Sequence, residues 1–303
     1  MGNPLFSLPS LERILESDHK IKAIISNPPK PIGRKRILKH TAVGDYSILN
    51  EIELIELDSF DNEDIFKKLV SLNVDIFVVV AFRVLPEKYI SIPQFGSINL
   101  HASLLPKYRG AAPIQWSLMN GDKTTGISIF QIEKKIDTGK IITQKEINIE
   151  KNDNFAYLSN KLSYLGAEAL VDSLNQIERG NVDYIEQKNS LVTKAPKITK
   201  EMLHIRWEWS ARTINNWIRG LSPKPGMTAL FQNKKIKILK TVVVDDKEQN
   251  SPGKIKTASN GVLDIYTGRG LISILELQQE GKKVLPIDQF LRGSRINDKD
   301  IFT

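Results

Sequence analysis

The sequence predicts an α/β domain with a largely parallel sheet, followed by a smaller domain that forms a β-barrel. Over the first part of the 303 residues, apolar runs of strand length alternate with segments of helical periodicity. This order is typical of parallel sheets with crossover helices. In the last third, several short apolar runs are separated by glycine-containing turns, which favours a small barrel.

The elements of the first domain follow from this periodicity. A nearly continuous β-branched run indicates a strand buried on both faces, and an alternating run indicates a strand covered on one face. A long amphipathic segment that ends before Gly180 predicts the helix that closes the domain. Strands are expected at residues 21–25, 52–57, 75–80, 97–100, 127–132 and 141–149, and helices at residues 8–17, 62–72, 111–119 and 154–177.

A change in composition separates this domain from the second one. The segment 189–200 is polar with one proline, which is typical of a linker. We therefore predict a first domain over 1–188, a linker over 189–200 and a second domain over 201–303. The second domain is expected to contain a helix at 210–220 and strands at 228–231, 236–244, 261–266 and 271–277.

Composition and motifs disfavour several classes of function. The chain has no cysteine and only four histidines, so we expect no bound metal. It contains no P-loop and no G-x-G-x-x-G pattern, and Ser103 lacks the context of a hydrolase nucleophile. No apolar run approaches the length of a membrane span, and the first residues do not resemble a signal peptide. We therefore expect a cytoplasmic protein that binds no membrane.

The positive charge is concentrated in the last third of the chain. The net charge is +8, and residues 201–303 hold 17 Lys and Arg against 11 Asp and Glu. Such an excess favours a polyanionic partner for the second domain. A lysine-rich surface alone is equally compatible with simple solvation.

Three side chains with complementary chemistry occur between residues 97 and 140. Asn99 and His101 lie at the end of an expected strand, and residues i and i+2 of a strand share a face. Asp137 follows in the tight turn Asp-Thr-Gly. An amide donor, an imidazole and a carboxylate can together polarise a carbonyl group and move a proton. Each alone could be a cap, a buried imidazole or a turn residue, but their occurrence around a loop that follows a strand favours a ligand site.

The segment around these residues resembles the folate-dependent formyltransferases. The similarity lies in Asn-x-His at 99–101, in SLLPKYRGAAPIQ at 103–115 and in Asp-Thr-Gly at 137–139. It extends to the basic loop NPPKPIGRKR at 27–36, to VVVAF at 78–82, and to IRGLSP at 218–223 and LELQ at 275–278. The resemblance therefore covers essentially the whole chain.

This resemblance implies a Rossmann-like first domain that binds 10-formyltetrahydrofolate and an OB-like second domain that contacts tRNA. The acceptor would be the α-amino group of methionine on initiator methionyl-tRNA, and we expect a monomer. Asn99 would donate a hydrogen bond to the oxyanion of a tetrahedral intermediate, and His101 would help to stabilise it. Asp137 would orient the histidine and help to remove the proton of the amine.

The resemblance also implies the residues that bind the two substrates. The folate-binding positions would be Val80, Phe82, Ser103, Leu104, Leu105 and Pro106, and the tRNA-binding positions would be Lys30, Arg34, Lys35 and Arg36. Arg34 is expected to be the main phosphate contact. Arg109 could support its loop locally or take part in the reaction, and the sequence leaves both roles open.

The chain departs from the family pattern at three places. The family has a short apolar strand before the turn that residues 1–4 match, so we expect a sheet without its first strand, as from a start site placed too late or a truncated sequence. Lys224 occupies a position where relatives often carry Trp. Arg83 lies in a shortened turn at 81–86, beside the expected folate pocket.

The sequence is also compatible with other functions. A formyltransferase that acts on an amino sugar nucleotide would share Asn-x-His and the loop after it, whereas GAAPIQ and Asp-Thr-Gly favour the tRNA acceptor. The purine-pathway formyltransferase resembles only the first domain, and a formyltetrahydrofolate-hydrolysing domain departs from GAAPIQ. In a different class, the chain could be a non-catalytic RNA-binding protein, which the intact Asn99, His101 and Asp137 disfavour.

Overall fold

The structure, a computed structural model, describes residues 1–33, 35–296 and 300–303. The described residues divide into two units. The first unit comprises Met1–Pro113, Thr124–Asn148 and Ser159–Pro196, and the second comprises Ile114–Lys123, Ile149–Leu158 and Lys197–Thr303. Most of the segment expected as a linker, residues 189–196, therefore lies in the first unit.

The α/β class expected for the first part of the chain is confirmed. The strands are β1 (Ile24–Ser26), β2 (Lys30–Ile32), β3 (Ile37–Lys39), β4 (Leu54–Glu56), β5 (Phe77–Val80), β6 (Ser97–His101), β7 (Thr124–Gln131) and β8 (Ile141–Asn148). The helices are α1 (Leu8–Leu15), α2 (Ala42–Leu49), α3 (Glu63–Ser71), α4 (Glu87–Ile90), α5 (Pro113–Asn120) and α6 (Phe155–Glu178).

These strands form parallel pairs with antiparallel additions. β1 pairs with β4 and β5 pairs with β6, both in parallel. β7 and β8 continue the second sheet in antiparallel orientation, in the order β5-β6-β7-β8. β2 and β3 form a separate antiparallel hairpin. The strand β6 thus has a neighbour on each side, which fixes the positions of the residues that it carries.

Local chemistry explains where two of the helices lie. α3 begins at Glu63 because the side chain of Asn62 accepts hydrogen bonds from the backbone of Asp64 and Ile65, which satisfies donors that a helix start leaves free. α6 buries Leu162 and Leu170 completely, and Gly166 lies between them on the same face. A Cβ at Gly166 would lie 2.4 Å from Leu100 Cδ1. The glycine therefore lets α6 pack closely on β6.

The first two residues lie between β1 and β5, which do not pair with each other. Gly2 N donates to Ile25 O (3.1 Å), Val80 N donates to Met1 O (2.9 Å), and the amino group of Met1 donates to Val78 O (2.7 Å). Burial lowers the pKa of this amino group to about 5. A cavity of about 550 Å³ lies beside these residues, with a largely apolar lining from Ala23–Ile25 and Val74–Val78 among others.

The second unit is built around an antiparallel sheet from the last third of the chain. Its strands are β9 (Met227–Phe231), β10 (Lys234–Asp245), β11 (Ile255–Ser259), β12 (Val262–Tyr266), β13 (Leu271–Gln279) and β14 (Val284–Pro286). Helices α7 (Ala211–Leu221) and α8 (Ile287–Arg292) belong to the same unit, as does most of α5. The strand order is β11-β12-β13-β10-β9, with β14 paired to β13. One side of the sheet buries a core that includes Ile214, Ile238 and Ile274.

The closed barrel expected for this unit is not observed in the described residues. The two edge strands β9 and β11 do not pair with each other there. The last residues of the chain contact both edges instead: Thr303 N donates to Leu230 O (3.0 Å), and Phe302 N donates to Gly253 O (2.9 Å), just before β11. The sheet is therefore open, and its edges are joined through residues 301–303.

Within the described residues, no helix combines the length and the apolar character that crossing a membrane requires.

Candidate active site

The strand β6 brings Asn99 and His101 to one place, as the i and i+2 spacing predicts. Asn99 faces Val79 of β5 and Phe130 of β7 in the sheet register, and His101 faces Ser128. His101 is buried and Asn99 is half-buried. Among the described residues, no hydrogen bond reaches the Asn99 carboxamide, so its two N–H groups are available to a substrate.

The two ring nitrogens of His101 have different partners. Nε2 lies 2.9 Å from the carbonyl oxygen of Tyr108, and because a carbonyl oxygen can only accept, Nε2 carries a proton. Nδ1 faces Oδ2 of Asp137 at 3.8 Å. This is long for a direct hydrogen bond. The carboxylate is close enough to stabilise a positive charge on the imidazole.

Asp137 is held in place by its own turn. Its backbone has φ of +54°, a conformation uncommon for residues other than glycine. Its Oδ2 accepts a hydrogen bond from Gly110 N at 2.8 Å. A Cβ at Gly139 would lie 1.8 Å from the carbonyl oxygen of Gln131. The Asp-Thr-Gly turn therefore requires glycine at its third position.

The loop from Ser103 to Gly110, which we call the signature loop, is fixed by buried hydrogen bonds. Ser128 Oγ donates to Ser103 O (2.7 Å) and accepts from Leu105 N (3.0 Å). Gln144 Nε2 donates to Leu105 O at 2.9 Å. Because Nε2 of His101 donates to Tyr108 in the same loop, the loop and the histidine are held together.

The six positions expected to bind folate lie at one edge of the sheet. Val80 pairs with Leu100 in parallel strands, so Phe82 and the signature loop both leave the sheet at its carboxyl edge, where α/β proteins bind ligands. The side chains of Val80, Ser103 and Leu105 are buried, whereas those of Phe82, Leu104 and Pro106 are partly exposed. The latter three are therefore the more accessible of the six to a ligand.

Arg83 connects the turn after β5 to the end of β4. It donates hydrogen bonds to the carbonyl oxygens of Leu57 and Asp58. Its guanidinium lies 4.7 Å from the ring centre of Phe60 and 5.3 Å from that of Phe82. Burial lowers the pKa of Arg83, although an arginine remains charged under such conditions. The shortened turn therefore has a defined conformation.

The basic loop forms the hairpin β2–β3. Lys30 lies in β2, Lys35 and Arg36 lie in the turn, and all three are exposed. None of the three forms an ion pair within the described residues. Arg34, the expected main phosphate contact, lies outside the described residues. The exposed, unpaired charges are compatible with contact to a polyanion.

Sequence reasoning missed Ser128, Gln144 and Gln187, which connect the elements of the site. Gln187 accepts from Arg109 and donates to the Asp137 turn. These polar residues lie tens of positions from the motif and belong to no recognisable pattern. The one signal in the sequence was Arg109, a polar residue without an assigned role, whose guanidinium donates to Gln187.

The chain belongs to the formyl transferase family. Residues 2–174 match the formyl transferase family, and residues 197–295 match the formyl transferase C-terminal domain. A solved sugar 3N-formyl transferase, WlaRD, has a TM-score of 0.68 at 20% identity and covers 93% of this chain and 97% of its own. At that identity, the likeness shows the fold alone.

Within the family, the chain is similar over its length to methionyl-tRNA formyltransferases. The protein of this name from Caldanaerobacter subterraneus is 37% identical over 99% of this chain and 98% of its own length. The one from Thermodesulfovibrio yellowstonii is 39% identical over 98% and 96%. The enzyme class expected from the sequence is thereby confirmed, and the non-catalytic alternative loses its support.

Proposed function

We propose that this chain transfers the formyl group of 10-formyltetrahydrofolate to the α-amino group of methionine on initiator methionyl-tRNA. The observation that carries the proposal is the convergence of Asn99, His101 and Asp137 at the carboxyl edge of the sheet, with the signature loop beside them. The names of the relatives supply the acceptor. Two structures of similar fold, the sugar 3N-formyl transferase WlaRD and HypX from Aquifex aeolicus, were solved in the presence of folates.

The three side chains fit the steps of formyl transfer. The amine nitrogen attacks the formyl carbon, a C–N bond forms, and the carbonyl electron pair moves to oxygen. Asn99, whose amide is free, donates a hydrogen bond to that oxyanion. His101, with Nε2 held by Tyr108 and Nδ1 facing Asp137, helps to stabilise the oxyanion as an imidazole or an imidazolium.

Collapse of the intermediate completes the reaction. Asp137 takes the proton from the attacking amine, directly or through a water. The bond between the formyl carbon and N10 of the folate breaks, and N10 takes up a proton. The products are tetrahydrofolate and N-formylmethionyl-tRNA, with atoms and charges in balance.

The binding surfaces extend the proposal to the rest of the chain. In this proposal, residues 1–188 form the catalytic domain, residues 189–200 link it to the second domain, and residues 201–303 contact tRNA. Folate lies against Val80, Phe82 and the Ser103–Pro106 part of the signature loop. Lys30, Arg34, Lys35 and Arg36 contact tRNA phosphates. The protein acts as a cytoplasmic monomer.

A comparison of acceptors tests this function. Formyl transfer from 10-formyltetrahydrofolate is measured with initiator methionyl-tRNA, elongator methionyl-tRNA and an amino sugar nucleotide as acceptors. We expect rapid formylation of the initiator tRNA, much slower formylation of the elongator, and none of the sugar. Preference for the sugar acceptor, or no transfer to any acceptor, would contradict the proposal.

A further inference from the structure

We infer that Gln187 is a positioning residue that holds the carboxylate of Asp137 against His101 by joining the Asp137 turn to Arg109. The inference rests on the proposed role of Asp137 in formyl transfer. Gln187 itself lies after α6 and touches neither the histidine nor the carboxylate in any observed hydrogen bond. It would therefore act through its neighbours.

The amide of Gln187 uses all its hydrogen-bonding groups in this connection. Its Oε1 accepts from Arg109 Nε at 3.0 Å and from Arg109 Nη2 at 2.7 Å. Its Nε2 donates to the carbonyl oxygens of Asp137 at 3.0 Å and Gly139 at 2.8 Å. A glutamine amide offers two donors and one two-fold acceptor. Each is satisfied, and all four bonds join the signature loop to the Asp137 turn.

A second contact closes these bonds into a ring. Gly110, the residue after Arg109, donates its N–H to Oδ2 of Asp137 at 2.8 Å. Arg109 itself is fixed through its backbone, because its N–H donates to Thr193 O (2.9 Å) and its carbonyl accepts from Ala195 N (2.7 Å). Asp137 is thus held at its carboxylate oxygen by Gly110 and at its backbone carbonyl by Gln187.

This closed set of hydrogen bonds sets the distance between His101 Nδ1 and Asp137 Oδ2, on which the proposed chemistry depends. Tyr108, in the same loop, accepts from Nε2 of His101, so one short segment contacts both His101 and Asp137. The two reacting groups lie 3.8 Å apart. A misplacement of about 1 Å can reduce a rate by about a hundredfold. Because Asp137 adopts a positive φ, its turn is one that neighbouring groups must hold.

Two substitutions of Gln187 separate positioning from packing. Gln187→Ala removes all four bonds. Gln187→Glu keeps the size and the acceptor for Arg109 but removes both donors to the Asp137 turn. We expect kcat for formyl transfer to fall roughly 10- to 100-fold in both variants, with KM for methionyl-tRNA within about twofold of wild type. The double variant Arg109→Ala/Gln187→Ala should lower kcat by no more than the more damaging of the two single substitutions. The reason is that the two residues act in one chain of hydrogen bonds.

Asn175→Ala is the matched control. Its side-chain amide also joins distant segments of the first unit, through Oδ1 to His19 Nε2 at 3.0 Å, but it lies outside the site. We expect its kcat to equal that of wild type. Thermal unfolding of all variants is measured alongside, so that kinetic assays are run well below each transition.

A readout independent of activity distinguishes failure of this inference from failure of the proposed function. Hydrogen exchange at the Gly110 amide should accelerate by about tenfold or more in both Gln187 variants and remain unchanged in Asn175→Ala. The wild-type assay alone decides whether formyl transfer occurs. The positioning role is overturned if hydrogen exchange at Gly110 is unchanged in the Gln187 variants. It is also overturned if wild type is active and Gln187→Glu keeps kcat within twofold of it. Either result is decisive even where Gln187→Ala lowers the unfolding temperature.

Discussion

Replacing Asp137 by asparagine tests the electrostatic part of the site with little change in shape. The asparagine is nearly isosteric, and its Oδ1 can still accept the hydrogen bond that Gly110 N donates to Asp137 Oδ2. The charge that faces Nδ1 of His101 is lost, and so is the proposed acceptor for the proton of the amine. Any loss of rate therefore reports on charge and proton transfer and not on a collapsed turn.

The structure sets the size of the expected effect. A carboxylate 3.8 Å from Nδ1 of His101 would stabilise a positive charge on the ring by about 4 kcal/mol at an effective dielectric constant of about 20. Asp137 is only 11% exposed, so solvent screening removes a modest part of this. Since about 1.4 kcal/mol corresponds to a factor of ten, we expect kcat to fall about 10²- to 10³-fold.

The assay is single-turnover formyl transfer at saturating initiator methionyl-tRNA, with tRNA binding measured separately. Glu133→Gln is the matched control, because it removes one negative charge from an exposed position of the same loop. We expect this control to retain the wild-type rate and both variants to bind tRNA normally. An Asp137→Asn rate within threefold of wild type would refute the role assigned to the carboxylate.

Three further predictions follow from single positions. Asn99→Ala should lower kcat about 10²- to 10³-fold while tRNA affinity is kept, because an oxyanion donor is lost; single-turnover kinetics would show it, and a rate near wild type would exclude the donor role. Gly139→Ala should lower the free energy of unfolding by about 1–3 kcal/mol in denaturant titrations, because its Cβ would meet a backbone oxygen at 1.8 Å. Gly293→Ala is the control and should be almost neutral, because the nearest atom to its Cβ is 3.9 Å away. Arg34→Ala should weaken tRNA binding and reduce its salt slope by about one, unlike Arg13→Ala on α1; equal slopes in filter binding would argue against phosphate contact.

Elements with strong periodicity could be predicted from the sequence. The expected helix at 154–177 corresponds to α6 (Phe155–Glu178), and the expected strand at 97–100 corresponds to β6 (Ser97–His101). Their apolar residues repeat at the spacing that the structure buries. The convergence of Asn99 and His101 followed from the same rule. Local spacing carries this information, so a single sequence suffices.

Elements that depend on distant partners could not be predicted. Helix α2 (Ala42–Leu49) has no apolar periodicity and begins where the side chain of Thr41 accepts a hydrogen bond from Gly44 N. Strand β11 (Ile255–Ser259) pairs with β12 but is weakly apolar. The open sheet of the second unit depends on where residues 301–303 bond, which no local pattern shows.

The site shows the same division between local and distant information. The sequence pointed to Asn99 and His101 because they lie two residues apart on one strand, and to Asp137 because it lies in the Asp-Thr-Gly turn. It could not identify Gln187, whose four hydrogen bonds reach residues 48 to 78 positions away. It also left Arg109 without a role, because only the folded loop shows that its guanidinium donates to Gln187.

The most direct test of the proposed mechanism is a crystal structure with a stable formylated folate analogue. The formyl oxygen should lie about 2.7–3.1 Å from the side-chain nitrogen of Asn99, and Nδ1 of His101 should move within hydrogen-bonding distance of Asp137. The folate should lie along the carboxyl edge of β5 and β6, against Phe82 and Pro106. A folate bound elsewhere, or a formyl oxygen beyond hydrogen-bonding distance of Asn99, would contradict the mechanism.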